Sequence, residues 1–156
     1  MIMSGAQTGV DLAALDTAHD DMSLVASGWV PRGRYNEAGP IPGLYRLWET
    51  SSRRYNQRIR FNVRDSDGTL ILTQGRLAGG SLKTWLYARL VHRRPCLIVK
   101  LPVETDRIEV IYYWLRTQQI EVLNVAGPRE SKCPGIYEEA RAYLSSVFAL
   151  VNEAAN

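Results

Sequence analysis

The first eighteen residues constrain the fold most tightly. A short apolar run, Met1-Ile2-Met3, passes through Ser4-Gly5-Ala6-Gln7-Thr8-Gly9-Val10-Asp11 into a segment where Val10, Ala13, Ala14, Thr17 and Ala18 recur at helical spacing. Such spacing marks one buried helix face, so the order is strand, glycine-containing turn, helix. Converging N–H groups and the positive end of the helix dipole make that turn an anion site. The stretch has neither the three glycines of the dinucleotide fingerprint nor the Gly-Lys-Ser/Thr of a Walker loop. Thr8 and Asp11, three residues apart, also fit a capping box, so a cap and a ligand contact both stand open.

The same alternation continues to the C-terminus. Ser27 to Val30 reads as a second strand, and residues 31–47, broken by Pro31, Pro40 and Pro42, as a long loop packed down by Leu44, Tyr45 and Trp48. A helix starting near Ser51 and Ser52 turns Tyr55, Ile59 and Val63 inward. Residues 65–68 form a turn and 69–73 a buried strand. After a glycine-rich turn over 74–80, a helix over 81–93 directs Leu82, Trp85, Leu86 and Leu90 inward. Residues 95–99 are a strand. Thr105 caps a helix with Ile108, Ile111, Tyr112 and Leu115 on one face, and 121–125 is a further strand. The last helix buries Ile136, Ala140, Tyr143, Leu144, Val147 and Val151.

Alternating strands and helices imply an α/β chain. The expectation is one Rossmann-like ligand-binding domain over residues 1–156, a three-layer doubly wound fold with a mainly parallel sheet of about five strands. Right-handed crossovers bring every strand-to-helix loop to one edge, where doubly wound folds bind ligands. That edge gathers residues 5–9, 32–34, 75–84, Lys100 and 127–132. Asp65 and Asp67 fall at the opposite edge, as turn and cap residues.

Composition narrows the ligand. The net charge is +3 and the basic residues are overwhelmingly Arg, the side chain suited to bidentate phosphate and carboxylate recognition. No basic stripe marks a nucleic-acid surface. No apolar run reaches the length of a membrane span and no signal segment stands out. A cytoplasmic protein without membrane contact is therefore expected. Cys96 and Cys133 lie in different contexts, consistent with reduced thiols. His19 and His92 are isolated, so no protein-bound metal is expected.

Several segments together resemble the molybdenum-cofactor carrier family: residues 4–11, Gly-Trp-Val-Pro-Arg-Gly-Arg at 28–34, Asn-Val-Arg-Asp-Ser-Asp-Gly-Thr-Leu-Ile-Leu at 62–72, Gly-Gly-Ser-Leu-Lys-Thr at 79–84 and Asn-Val-Ala-Gly-Pro-Arg-Glu-Ser-Lys-Cys-Pro-Gly-Ile-Tyr at 124–137. That family is similar to the lysine-decarboxylase-like (LOG) group, many of whose members are nucleotide phosphoribohydrolases. The resemblance implies binding of a phosphorylated small molecule, a molybdopterin (molybdenum cofactor) or a nucleotide, and a homo-oligomer. By matching position it assigns ligand contact to Gly5, Gln7, Thr8, Gly9, Arg32, Arg34, Gly79, Gly80, Ser81, Thr84, Arg129, Glu130 and Ser131. Bland roles also fit some of these: Arg34 as a solvated charge, Glu130 as a cap of the last helix or a partner of Arg129. Trp29 or Gln7 could face a planar ring. The chain departs from the family at Ala6, where glycine is usual, and at Leu12 and Val30. It also lacks the glutamate of the phosphoribohydrolase motif, with Tyr87 in its place, which removes the obvious general acid/base and assigns no catalytic residue. The alternatives to a binding protein are a phosphoribohydrolase-type enzyme and a scaffold with a vestigial crevice.

Overall fold

The protein is described by a computed structural model covering residues 1–21, 23–102 and 108–154. Thr105, expected as a helix cap, lies outside the described residues. In chain order the elements are β1 (Ile2–Met3), α1 (Val10–Asp20), β2 (Ala26–Val30), β3 (Tyr35–Asn36), β4 (Gly39–Pro40), β5 (Arg46–Glu49), α2 (Tyr55–Arg64), β6 (Gly68–Thr73), α3 (Gly79–Leu86), β7 (Cys96–Lys100), α4 (Ile108–Thr117), β8 (Leu123–Ala126) and α5 (Ile136–Glu153). A π-helical turn, Tyr87–Val91, extends α3.

Six strands pair in the order β5-β2-β1-β8-β6-β7, and every pairing is parallel. Helices α1, α4 and α5 pack together on one face, α2 and α3 on the other. This is the expected three-layer, doubly wound architecture. The strand beyond the expected five is β5, which emerges from the stretch read as a loop. It shows no apolar alternation because it is an edge strand whose residues are mostly exposed, so periodicity had nothing to report. Tyr45 is buried as expected, whereas Leu44 and Trp48 stay about half exposed.

The two faces of the sheet differ in chemistry. Side chains alternate across a strand, and Leu70, Leu72, Leu123 and Val125 join Val10, Ala13, Ala14, Ala140, Leu144 and Val147 in one aliphatic core. The residues that alternate with them, Thr69, Thr73 and Asn124, are buried and polar, and Asn124 Nδ2 donates to Thr69 Oγ1 at 3.3 Å. The face beneath α2 and α3 is thus mixed, with Thr69, Asn124 and Thr73 around the buried Ile71.

Helix α3 turns opposite to its apolar stripe. Ser81, Thr84 and Ala88 are buried, while Leu82, Leu86 and Leu90 are exposed. Its inner side rests over the polar part of the sheet, where small and hydroxyl-bearing side chains fit and leucines would not. Of the expected inward set Leu82, Trp85, Leu86 and Leu90, the three leucines turn outward and Trp85 is half-buried.

Close packing of β2 on β1 depends on one glycine. A Cβ on Gly28 would lie 1.8 Å from the Ser4 carbonyl oxygen, at a φ of +153°. Gly28→Ala should therefore lower stability by about 1–3 kcal/mol, the range for overpacking, read as a reduced urea midpoint with unchanged m-value.

Candidate functional site

A cavity of about 760 Å³ opens between α2, α3 and the carboxyl ends of β6 and β8. Its floor holds a buried ion pair, Arg58 Nη1 to Asp11 Oδ2 at 3.0 Å, with both side chains less than a tenth exposed. Burial pushes the Asp11 carboxyl above its usual value, against the pull of Arg58 and of hydrogen bonds from the Gln7 and Gly127 N–H groups. Gly5 makes room for the pair: a Cβ there would meet Arg58 Nη1 at 1.5 Å. The N-cap of α1 is Gly9, which has no capping side chain, so Thr8 does not cap that helix and Asp11 serves chiefly as the partner of Arg58.

Two residues of the lining each carry a donor that lacks an acceptor. Arg58 Nε and Gln7 Nε2 are buried and make no hydrogen bond. Gln7 Oε1, by contrast, accepts from the N–H groups of Thr8 and Glu37, each at 3.0 Å. Native interiors satisfy nearly all buried polar atoms, so orphan donors on two residues that line one cavity are an unmet demand for an acceptor.

The first turn of α3 lines the same cavity through Gly79, Gly80 and Ser81. Ala78, at its N-cap, offers no side-chain acceptor, which leaves this turn's N–H groups available to an anion. Among the described residues four cations line the cavity, Arg58, Arg76, Arg129 and Lys132, against the one carboxylate of Asp11. Among the described residues no group of three or more His, Cys, Asp or Glu side chains could hold a metal ion.

A second anion cradle adjoins the cavity, and the chain fills it. Glu37, at the turn of the β3–β4 hairpin, accepts hydrogen bonds from Thr8 Oγ1, Ser131 N (3.1 Å) and Ser131 Oγ. Arg129 Nη1 stands 3.6 Å away. Burial alone would raise this carboxyl, but the hydrogen bonds from Ser131 and Thr8, aided by Arg129, hold it down at about 2.

The residues assigned from the sequence therefore divide. Gly5, Gln7, Gly79, Gly80, Ser81, Thr84 and Arg129 line the cavity. Thr8 and Ser131 engage Glu37 instead. Gly9 abuts the neighbouring loop, where its Cβ would sit 2.4 Å from the Pro128 carbonyl oxygen. Glu130 caps α5 by accepting from Gly135 N and Tyr137 N. Arg34 donates to the carbonyls of Pro42, Leu47 and Tyr45, tying the loop after β4, and Arg32 is exposed outside the lining. Trp29 is also outside it, donating through Nε1 to Asp65 and packing on Trp48 and Phe61. Sequence reasoning did not single out Arg58, Asn124, Gln74 or Arg76 as lining residues. For Arg58 a signal existed: it adjoins Ile59 on the inward stripe of α2.

Residues 2–148 match the family described as the circularly permutated YpsA SLOG family. The chain is also similar to a solved structure, that of the "putative molybdenum carrier protein" from Syntrophus aciditrophicus. The two share 42% sequence identity over 94% of this chain and 92% of that one, with a TM-score of 0.89. No curated protein matches.

Removing Arg58 would strand a buried carboxylate, so Arg58→Met should lose about 3–5 kcal/mol near neutral pH. A carboxyl whose folded value is raised favours the fold most below its usual 3.8 and less as pH rises through the folded value. The deficit of the variant in urea unfolding should therefore grow between pH 4 and pH 7. Glu37 has the opposite sign. Its contribution is present above its usual 4.5 and lost as pH falls toward about 2. The Tm advantage of wild type over Glu37→Gln should accordingly vanish across that window.

Proposed function

The chain belongs to the circularly permutated YpsA SLOG family, and from that premise we propose that it binds a phosphorylated small molecule, a molybdopterin or a nucleotide, at the carboxyl edge of its sheet. The observation that carries this reading is the pair of buried, unpartnered donors, Arg58 Nε and Gln7 Nε2, on the cavity floor. The uncapped first turn of α3 supports the same conclusion, since a helix N-terminus with free N–H groups favours phosphate. The excess of cations over carboxylates in the lining adds to it. A volume of about 760 Å³ suits a ligand of nucleotide size.

Phosphate is assigned to the Gly79–Ser81 turn and the guanidinium of Arg129. The ring edge is assigned to Gln7 Nε2 and Asn124, the polar side chains on the floor. A bound molybdopterin would bring its own sulfur ligands for molybdenum, so this chain needs to hold only the phosphate and the ring. The name carried by the Syntrophus aciditrophicus relative supports the molybdopterin form of the reading. Binding is favoured over turnover because Tyr87 stands in the π turn and outside the lining, where a phosphoribohydrolase motif would place its glutamate.

Titration with a nucleoside monophosphate and with the matching nucleoside tests this. The phosphorylated form should bind at least tenfold tighter, and equal affinities would overturn the reading. Arg129→Ala should weaken binding by about ten- to a hundredfold, the equivalent of a hydrogen bond to a charged group.

A further inference from the structure

We propose that Glu37 occupies a second anion subsite and thereby sets a preference for ligands with one phosphoryl group over ligands with two. The inference rests on the cavity being a phosphate site, as argued above.

The cradle around Glu37 has the chemistry of a phosphate site. Two hydroxyls, Thr8 Oγ1 and Ser131 Oγ, one backbone N–H, Ser131, and one guanidinium, Arg129, converge on a single carboxylate. These donors come from the loops that end β1 and β8, the same loops that supply Gln7 and Arg129 to the cavity. Two residues connect the cradle and the cavity directly. Arg129 lines the cavity and pairs with Glu37 at 3.6 Å. Gln7 accepts the Glu37 N–H through Oε1 while its Nε2 lies unpartnered on the floor.

A ligand with one phosphoryl group at the first turn of α3 leaves this arrangement intact. A second phosphoryl group extending past Arg129 meets the Glu37 carboxylate, and like charges at that distance repel. The repulsion persists at every physiological pH, since Glu37 stays ionised down to about 2. To admit the longer ligand the hairpin must withdraw. It is held there by the Glu37 N–H to Gln7 and by Asn36 Nδ2, which donates to the Ala6 carbonyl at 2.8 Å. Glu37 is thus a built-in competitor for the second phosphate.

The test uses inorganic phosphate and pyrophosphate as probes, titrated into wild type, Glu37→Gln and Glu37→Ala at one ionic strength. The expected result is a pyrophosphate-over-phosphate affinity ratio at least tenfold higher in both variants than in wild type. Glu37→Ala keeps the hairpin's backbone hydrogen bonds and stands in should the Gln variant fail to fold. A ratio unchanged in the variants, with phosphate still bound, overturns the role of Glu37 and leaves the phosphate cavity standing. Failure of both wild type and variants to bind phosphate overturns the cavity reading, and this inference with it.

Discussion

The contact between Asp11 and Arg58 joins the two helical layers of this protein. Asp11 belongs to α1 on the aliphatic face of the sheet, and Arg58 to α2 on the polar face. Their side chains meet over the carboxyl edge, in the space left by the missing side chain of Gly5. Taking two charges out of water carries a desolvation penalty of several kcal/mol each, and only close pairing offsets it. The same guanidinium keeps one donor unspent for the cavity. From there contacts run outward to the rim. The Tyr55 ring lies under both Arg58 and Arg129, at 5.3 and 5.4 Å, and Arg129 reaches Glu37. One alternating series of charges and an aromatic ring thus links the cavity floor to the β3–β4 hairpin.

The layer order and most of the buried faces were legible in the sequence because aliphatic periodicity reports directly on the aliphatic core. Val10, Ala13 and Ala14 of α1 and Ile136, Ala140 and Leu144 of α5 are examples. The same signal misled at α3, whose leucines face water because its inner side covers a polar surface. Arg58 was overlooked for a related reason. Arg is almost never fully buried unless paired, and its partner Asp11 lies 47 residues away, beyond any local pattern. Glu37 sits in a segment without periodicity, so nothing local indicated that its carboxylate would fill the donors of Thr8 and Ser131.

Loop placement brings the glycines and hydroxyls to the carboxyl edge of the sheet but not to one point. Strand β8 lies between β1 and β6, so the turns after those two strands are a strand apart rather than side by side. At the start of α1 the Val10 N–H donates to the Pro128 carbonyl, which draws that helix end toward the neighbouring loop. The resemblance carried a finer detail. Ala6, where the resemblance implied that glycine is usual, adopts a φ of +54°, a left-handed conformation that favours glycine over residues with a Cβ.

The position of β8 has a consequence for what holds the two halves of the sheet together. Strands β5, β2 and β1 form one half of the sheet and β6 and β7 the other, and the strand between them is the last of the six in the chain. All hydrogen-bonded pairing between those halves runs through residues 123–126, which pair with β1 on one side and β6 on the other. A change that unseats β8 would therefore leave facing unpaired edges on β1 and β6, and exposed edges of this kind invite pairing with other chains. The cavity is lined in part by Asn124, Ala126, Gly127, Pro128 and Arg129, so the strand that joins the two halves also supplies part of its wall.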